Sequence, residues 1–196
     1  MIIITLNKLT LNLILSFIIY HEKNRMYHLD TYCPTLVHDD YIIDPSIMKH
    51  LIQDTTKKRT VVYYNRDNKF NPYIEFIRDI TSEFLEMNHF DHNKEKWYMD
   101  VIRYQLKDDK KRVKSGLAWH CENDNYPDVI TVLMYLHLDD KIIDGNLRYK
   151  DKFDKIHILE IKAGTTVIMD GNVPHKPQDP YGSGKRDLII MSFEKE

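Results

Sequence analysis

The chain has 196 residues, enough for one medium domain with a real core and too few for two. Hydrophobic residues make up 42% and charged residues 30%, a globular balance, and the net charge of −2 gives no general attraction to nucleic-acid phosphates. Two cysteines, Cys33 and Cys121, exclude a paired-cysteine zinc site, argue against a disulfide framework, and make a reducing, cytoplasmic compartment the expected location.

Met1 to Tyr20 is rich in Ile and Leu but interrupted by Asn7, Lys8, Thr10 and Asn12. A spanning helix wants about 20 nearly unbroken apolar residues, and no small-residue cleavage site follows Leu11 to Ile19. Residues 1–25 are therefore set apart as an apolar segment with three readings. They form a targeting or membrane-anchoring segment, a buried N-terminal strand, or a start placed ahead of Met26. Secretion or membrane association would act through this segment alone. Residues 26–196 are expected to form one domain, with a recognisable core at about 97–196.

Pro45 to Gln53 reads as a short helix and Asn71 to Met87 as a longer one. Asn71 suits the N-cap and Pro72 the first helical position, while Tyr73, Phe76, Ile77, Ile80, Phe84 and Met87 mark an apolar face. From about Trp97 the texture changes to short β-rich runs: Met99 to Gln105, Leu117 to Glu122, Val129 to Leu138, Leu147 to Tyr149, Ile156 to Ile161, Thr165 to Met169 and Leu188 to Phe193. Turn residues separate several of them, at Asn125 to Asp128, Asp144 to Asn146 and Tyr181 to Gly184. The basic run Lys107 to Lys114 contains Asp108 and Asp109 and reads as a solvated loop. Many short strands with Gly and Pro turns predict a mainly β sandwich or jelly roll, with the earlier helices packed outside one sheet.

Three features then occur in order: His120-Cys121-Glu122, His175 and Arg186. In a strand, residues two apart share a face, so the His120 imidazole and the Glu122 carboxylate converge while Cys121 points away to pack. His175 from a distant strand completes two nitrogens and one oxygen, the facial donor set of non-haem Fe(II) oxygenases. That set leaves positions open for other ligands, which favours iron over zinc. A Gly-containing turn between His175 and Arg186 lets a hairpin return bring the guanidinium back, where it can grip a carboxylate with two parallel hydrogen bonds. Asp124 shares the strand face of His120 but starts roughly 13 Å away, too far to replace Glu122.

From Asp100 to Phe193 these residues resemble the Fe(II)- and 2-oxoglutarate-dependent oxygenases of the prolyl-hydroxylase type. Val101-Ile102-Arg103-Tyr104 looks like the strand before the first metal ligand, and Trp119-His120-Cys121-Glu122 like the His-x-acid motif. Ile130 to Leu136 looks like the core strand that follows. Asp144-Gly145-Asn146-Leu147-Arg148-Tyr149 resembles a Gly-Gly-x-Leu-x-Phe segment, with Asn146 in place of the second glycine. Ala163-Gly164-Thr165, Val173-Pro174-His175 and Gly184-Lys185-Arg186 resemble the distal block. The resemblance implies a double-stranded β-helix with Fe(II) on His120, Glu122 and His175. It implies 2-oxoglutarate on Arg186 and Tyr135, with Tyr104 and Thr131 lining the same pocket, O₂ as second co-substrate, and ascorbate as an admissible reductant. The substrate would be a peptide or small molecule hydroxylated at a C–H bond; nucleic acid is disfavoured by the charge, and the oligomeric state is left open. Glu122 departs from the family's usual aspartate by about one C–C bond.

Two other classes compete. One is a non-catalytic β-sandwich binding module whose metal site has decayed, and the other a cupin-like metal dioxygenase that does not use 2-oxoglutarate. A nucleic-acid demethylase of the same fold is lowered by the absence of a basic strip. His137 is read as structural, other histidines such as His89, His92 and His157 fall in polar stretches and need no function, and Trp119 is read as a core residue.

Overall fold

The computed structural model describes residues 30–53, 57–65, 71–109, 118–126 and 128–196. The apolar segment 1–25 lies outside them, as do residues 110–117, which hold part of the basic run and the start of the expected strand from Leu117. Among the described residues, no helix is long and apolar enough to cross a membrane.

Within these described residues, ten strands build two antiparallel sheets. They are β1 (Thr35–His38), β2 (Arg59–Asn65), β3 (Trp97–Asp109), β4 (Val129–Leu138), β5 (Ile142–Ile143), β6 (Leu147–Lys150), β7 (Ile156–Leu159), β8 (Thr166–Asp170), β9 (His175–Pro177) and β10 (Tyr181–Glu194). The larger sheet runs β1-β8-β4-β10-β3-β2, with β5 also on β10, and the smaller runs β7-β6-β9. This is the jelly-roll, double-stranded β-helix architecture, mainly β with helices against one sheet.

The pleat explains why the central strands read as unbroken apolar runs. Along β4, Ile130, Val132, Met134 and Leu136 face one way and Leu133 and Tyr135 the other, and both faces are covered. The first set joins Met99, Val101, Ile189 and Met191 in a core beneath the helices. The second joins Ile102, Tyr104, Leu147, Val167 and Leu188 in an inner core between the sheets.

The helical lid starts with a 3-10 turn (Pro45–Ile47) running into α1 (Met48–Leu51). It continues in α2 (Pro72–Met87), where the Asn71 side chain accepts from the Tyr73 amide at 3.0 Å and Pro72 opens the first turn. The buried stripe is not quite the expected one. Ile74, Ile77, Thr81, Phe84 and Leu85 are buried, whereas Tyr73 is exposed and Phe76 and Ile80 only flank the core. The stripe is rotated by about one residue, because Thr81 meets the sheet: its hydroxyl donates to the Ile77 carbonyl and lies against Met134.

Other departures have local causes. Strands β1, β2, β5 and β9 carry no clear alternation in sequence, and their hydrogen bonds come from neighbours far along the chain. Tyr181 to Gly184 is not a turn but the start of β10, with a register shift between Gly182 and Gly184. Gly182, at φ 104°, lies so close to Lys141 that a Cβ would collide with its carbonyl oxygen. The return from β9 to β10 is consequently a crossing between sheets rather than a hairpin.

Arg103 and Asp187 face the helix side of the large sheet on paired strands. Arg103 Nε donates to Asp187 Oδ1 at 2.8 Å and its Nη2 to Oδ2 at 3.0 Å, both side chains being buried. The fork gives each carboxylate oxygen a donor and Lys185 Nζ stands 3.7 Å from Oδ2, which is what permits a charge pair in such a place.

Candidate functional site: a donor triad and a buried guanidinium

His120 does not lie on a regular strand. It makes one β-bridge to His175, exchanging hydrogen bonds of 3.2 and 2.9 Å, and the chain then enters a 3-10 turn (Glu122–Asp124). Asp124 is not a spare ligand on a strand face: its Oδ2 accepts from the Cys121 amide at 2.9 Å and caps that turn. The turn, not strand alternation, brings Glu122 round beside His120. The same bridge carries His175 into register with Tyr149 of β6.

The three donors converge. Glu122 Oε1 lies 3.4 Å from His175 Nε2 and 3.7 Å from His120 Nε2, and the three ligand atoms all lie within 4.8 Å of one another. Each imidazole is oriented by its own chain, His120 Nδ1 standing 3.0 Å from the Ala118 carbonyl and His175 Nδ1 3.0 Å from that of Val173. A carbonyl only accepts, so Nδ1 carries the proton and Nε2 presents its lone pair to the common point. Burial would raise the Glu122 carboxyl, but the two imidazoles outweigh it and take it down to about 2. Hydrogen bonding to Glu122, opposed by burial, raises His120 in turn. Two neutral-nitrogen donors and one ionised carboxylate form a donor set suited to a divalent cation of the first transition row.

Arg186 sits on the inner face of β10, only 1% exposed. Its carbon centre is 5.3 Å from the ring centroids of both Tyr104 and Tyr135. Gly145, at φ 88°, closes against it: a Cβ there would stand 3.1 Å from the guanidinium Nη1. None of the three guanidinium nitrogens has a hydrogen-bond partner among the described residues. Burial raises the Tyr135 phenol and the guanidinium pulls it back, so the two groups sense one another. A neutral phenol outside hydrogen-bond geometry cannot compensate a full charge, however. A buried cation without a counter-charge is costly, by several kcal/mol, and its unused donors form a fork that matches a carboxylate.

Of the residues expected to line this pocket, Tyr104, Tyr135 and Arg186 are brought together. Thr131 is not: its hydroxyl is 3.0 Å from Ser192 Oγ, four residues along β4 from Tyr135, or about 13 Å of strand. Asn146, in the position of a second glycine, is used structurally, its side chain accepting from the Ile161 amide at 3.0 Å. Trp119 is half-buried rather than a core residue, with Lys150 and Arg148 over its ring at 5.4 and 6.0 Å. His92 is buried between Ser82 and Phe193, and His157 is 2.7 Å from Asp151, both structural.

Sequence reading missed Asp100, Tyr98 and Tyr126. Burial first and the charge of Glu122 next push the Asp100 carboxyl up to about 7. Its parity with Tyr104 along β3 was the available signal.

No family model and no curated protein matches the sequence. Solved structures do match the fold. The non-haem alpha-ketoglutarate-dependent epimerase SnoN from nogalamycin biosynthesis aligns with a TM-score of 0.58 at 8% identity, over 83% of this chain and 78% of that one. An oxidoreductase of the 2OG-Fe(II) oxygenase family from Burkholderia pseudomallei gives 0.56 at 12%, over 77% and 75%. A full-length Neurospora crassa protein, solved in complex with alpha-KG, gives 0.52 at 11%, over 78% and 68%. The chain therefore has the double-stranded β-helix fold found in 2-oxoglutarate–Fe(II) oxygenases.

Proposed function

We propose that the chain is an Fe(II)- and 2-oxoglutarate-dependent oxygenase that hydroxylates a C–H bond of a peptide side chain or small molecule. One observation carries the reading: a guanidinium almost wholly buried, with no partner on any nitrogen among the described residues, in a chain that also brings three ligand atoms together. A cupin-like dioxygenase would have no use for that buried cation, and a decayed module would have no reason to keep it.

His120, Glu122 and His175 would hold iron, and Arg186 the far carboxylate of 2-oxoglutarate. When bound, iron with 2-oxoglutarate and O₂ supplies the oxidation: one oxygen atom enters the C–H bond and the other leaves in succinate, with release of CO₂. The protein's part is orientation and exclusion of water. The backbone carbonyls of Ala118 and Val173 hold the imidazole tautomers, and Tyr104 and Tyr135 wall the guanidinium from solvent. Glu122 reaches the common point from a 3-10 turn, which accommodates its extra methylene relative to aspartate.

The test is an anaerobic titration of the protein with Fe(II) and 2-oxoglutarate, followed by a succinate assay in air. A metal-to-ligand charge-transfer band and iron-dependent succinate are expected. Folded, iron-loaded protein that shows neither would sink the assignment.

A further inference from the structure

The proposed reaction gives Asp100 no task, yet its surroundings are specific. Along β3, Tyr98, Asp100, Ile102 and Tyr104 share the inner face, and strand register sets Tyr63 opposite Asp100 on β2. The turn after Glu122 closes over this end: the Tyr126 amide donates to the Glu122 carbonyl at 3.1 Å. The Tyr126 ring stacks on Tyr98 with centroids 4.2 Å apart. Stacking and register bring Tyr126, Tyr98 and Tyr63 to the Asp100 end of this face, and burial first, then Asp100, push the Tyr126 phenol up to about 12. Three phenol rings and one carboxylate thus gather beside the triad's own carboxylate, with Tyr63 at the open rim, 68% exposed.

Asp100 is half-buried and has neither a hydrogen bond nor an ion pair with any described residue. Among those residues Arg59 is the one cation that acts on it, but that guanidinium rests over Tyr104 at 5.9 Å, toward the other end of the inner face. A half-buried carboxylate among aromatic faces, with no cation in hydrogen-bond contact among the described residues, suits an ammonium or guanidinium. Such a group gains a charge-assisted hydrogen bond and the negative faces of the rings together.

Resting on the oxygenase reading above, we propose that Asp100, with Tyr63, Tyr98 and Tyr126 around it, binds a cationic group of the substrate. The substrate class is then compounds bearing an ammonium or guanidinium, as in lysine or arginine side chains. Asp100 takes no part in holding metal or co-substrate; it fixes which substrate atom faces the triad.

The experiment uses the full chain loaded anaerobically with Fe(II) and 2-oxoglutarate, with the charge-transfer band confirming loading. Four probes are titrated by calorimetry and NMR: the N-acetyl amides of lysine, arginine, norleucine and glutamate. The two cations should bind at least tenfold more tightly than norleucine, and glutamate more weakly still. Asp100→Asn, nearly isosteric, should erase most of that preference while the band persists. Tyr126→Leu should weaken the cations severalfold and leave norleucine unchanged. Absence of the band in wild type would refute the oxygenase reading. A normal band with no cation binding, no preference for cations, or an unaltered preference in Asp100→Asn would overturn this inference alone.

Discussion

Replacing Arg186 by methionine removes the charge and keeps most of the volume, so it separates two roles the guanidinium could have. If it awaits a carboxylate, the fork it would make is a charge-assisted, bidentate contact in a dehydrated pocket, and removing one partner costs about 2–4 kcal/mol. At 1.4 kcal/mol per factor of ten, 2-oxoglutarate affinity should fall roughly 30-fold to 1,000-fold. Iron affinity without co-substrate should hardly change, since Arg186 is not among the converging donors. The structure adds a second sign. Because all three nitrogens lack partners among the described residues in a side chain 1% exposed, the guanidinium should destabilise the ligand-free protein, and Arg186→Met should raise its melting temperature. A relief of about 1–3 kcal/mol corresponds to a rise of about 2–12 °C for a chain of this size. Calorimetric titration of iron-loaded protein and thermal unfolding of metal-free protein measure the two effects. Preserved 2-oxoglutarate affinity together with a lowered melting temperature would show the residue to be a structural cation and refute the reasoning.

His120→Ala and His175→Ala should each abolish iron binding at micromolar metal while leaving far-UV circular dichroism unchanged, because the sheets rest on apolar burial rather than on these rings; near-normal iron content in both would place the ligands elsewhere. Arg103→Ala should destabilise by about 2–4 kcal/mol, measured by urea unfolding, since it removes both hydrogen bonds of the buried Asp187 carboxylate and leaves it only the Lys185 ammonium 3.7 Å away, and a change below about 1 kcal/mol would mean water reaches the pair. In metal-free protein the Glu122–His120 contact should depend on pH in two directions. Glu122, depressed to about 2 from 4.5, contributes stability above pH 4.5 that is lost as pH falls toward 2, whereas His120, raised above 6.5, contributes stability below 6.5 that is lost as pH rises through its folded value. Melting curves of wild type and Glu122→Gln should therefore differ most between about pH 4.5 and 6.5, and a constant difference at all pH values would exclude the contact.

The site was legible where chemistry is local and the fold where burial is two-sided. Strand β4 matched its apolar run from Val129 to Leu138 to the residue, because both faces are covered and no polar break blurs the ends. Strand β2 was invisible: its alternation is weak, and its place is set by pairing with β3. Glu122 illustrates a right convergence with a wrong cause, since strand parity predicts the meeting with His120 and a 3-10 turn produces it. Thr131 failed for the opposite reason: parity put it on the face of Tyr135, but parity says nothing about distance along the strand, and its partner is Ser192. Asp100 escaped notice because a lone acid on a strand has no pattern; only Glu122 and Tyr126, arriving from a distant turn, give it an environment.

Arg186 and Asp187 are consecutive on β10, one facing the interior between the sheets and the other the helices, where it meets Arg103. A slip of one residue in this strand would turn each of them to the other face. Slipped one way, the Asp187 carboxylate would stand between Tyr104 and Tyr135; slipped the other way, a second guanidinium would press on Arg103 beneath the helices. Apolar neighbours such as Leu188 and Ile189 could trade faces at modest cost, so hydrophobic burial alone would police the alignment weakly. Two opposite charges back to back make the misaligned sheet electrostatically untenable, and they do so at the step of assembly, before any ligand is present. The pair thus works as a registration mark for the strand that carries the proposed co-substrate anchor.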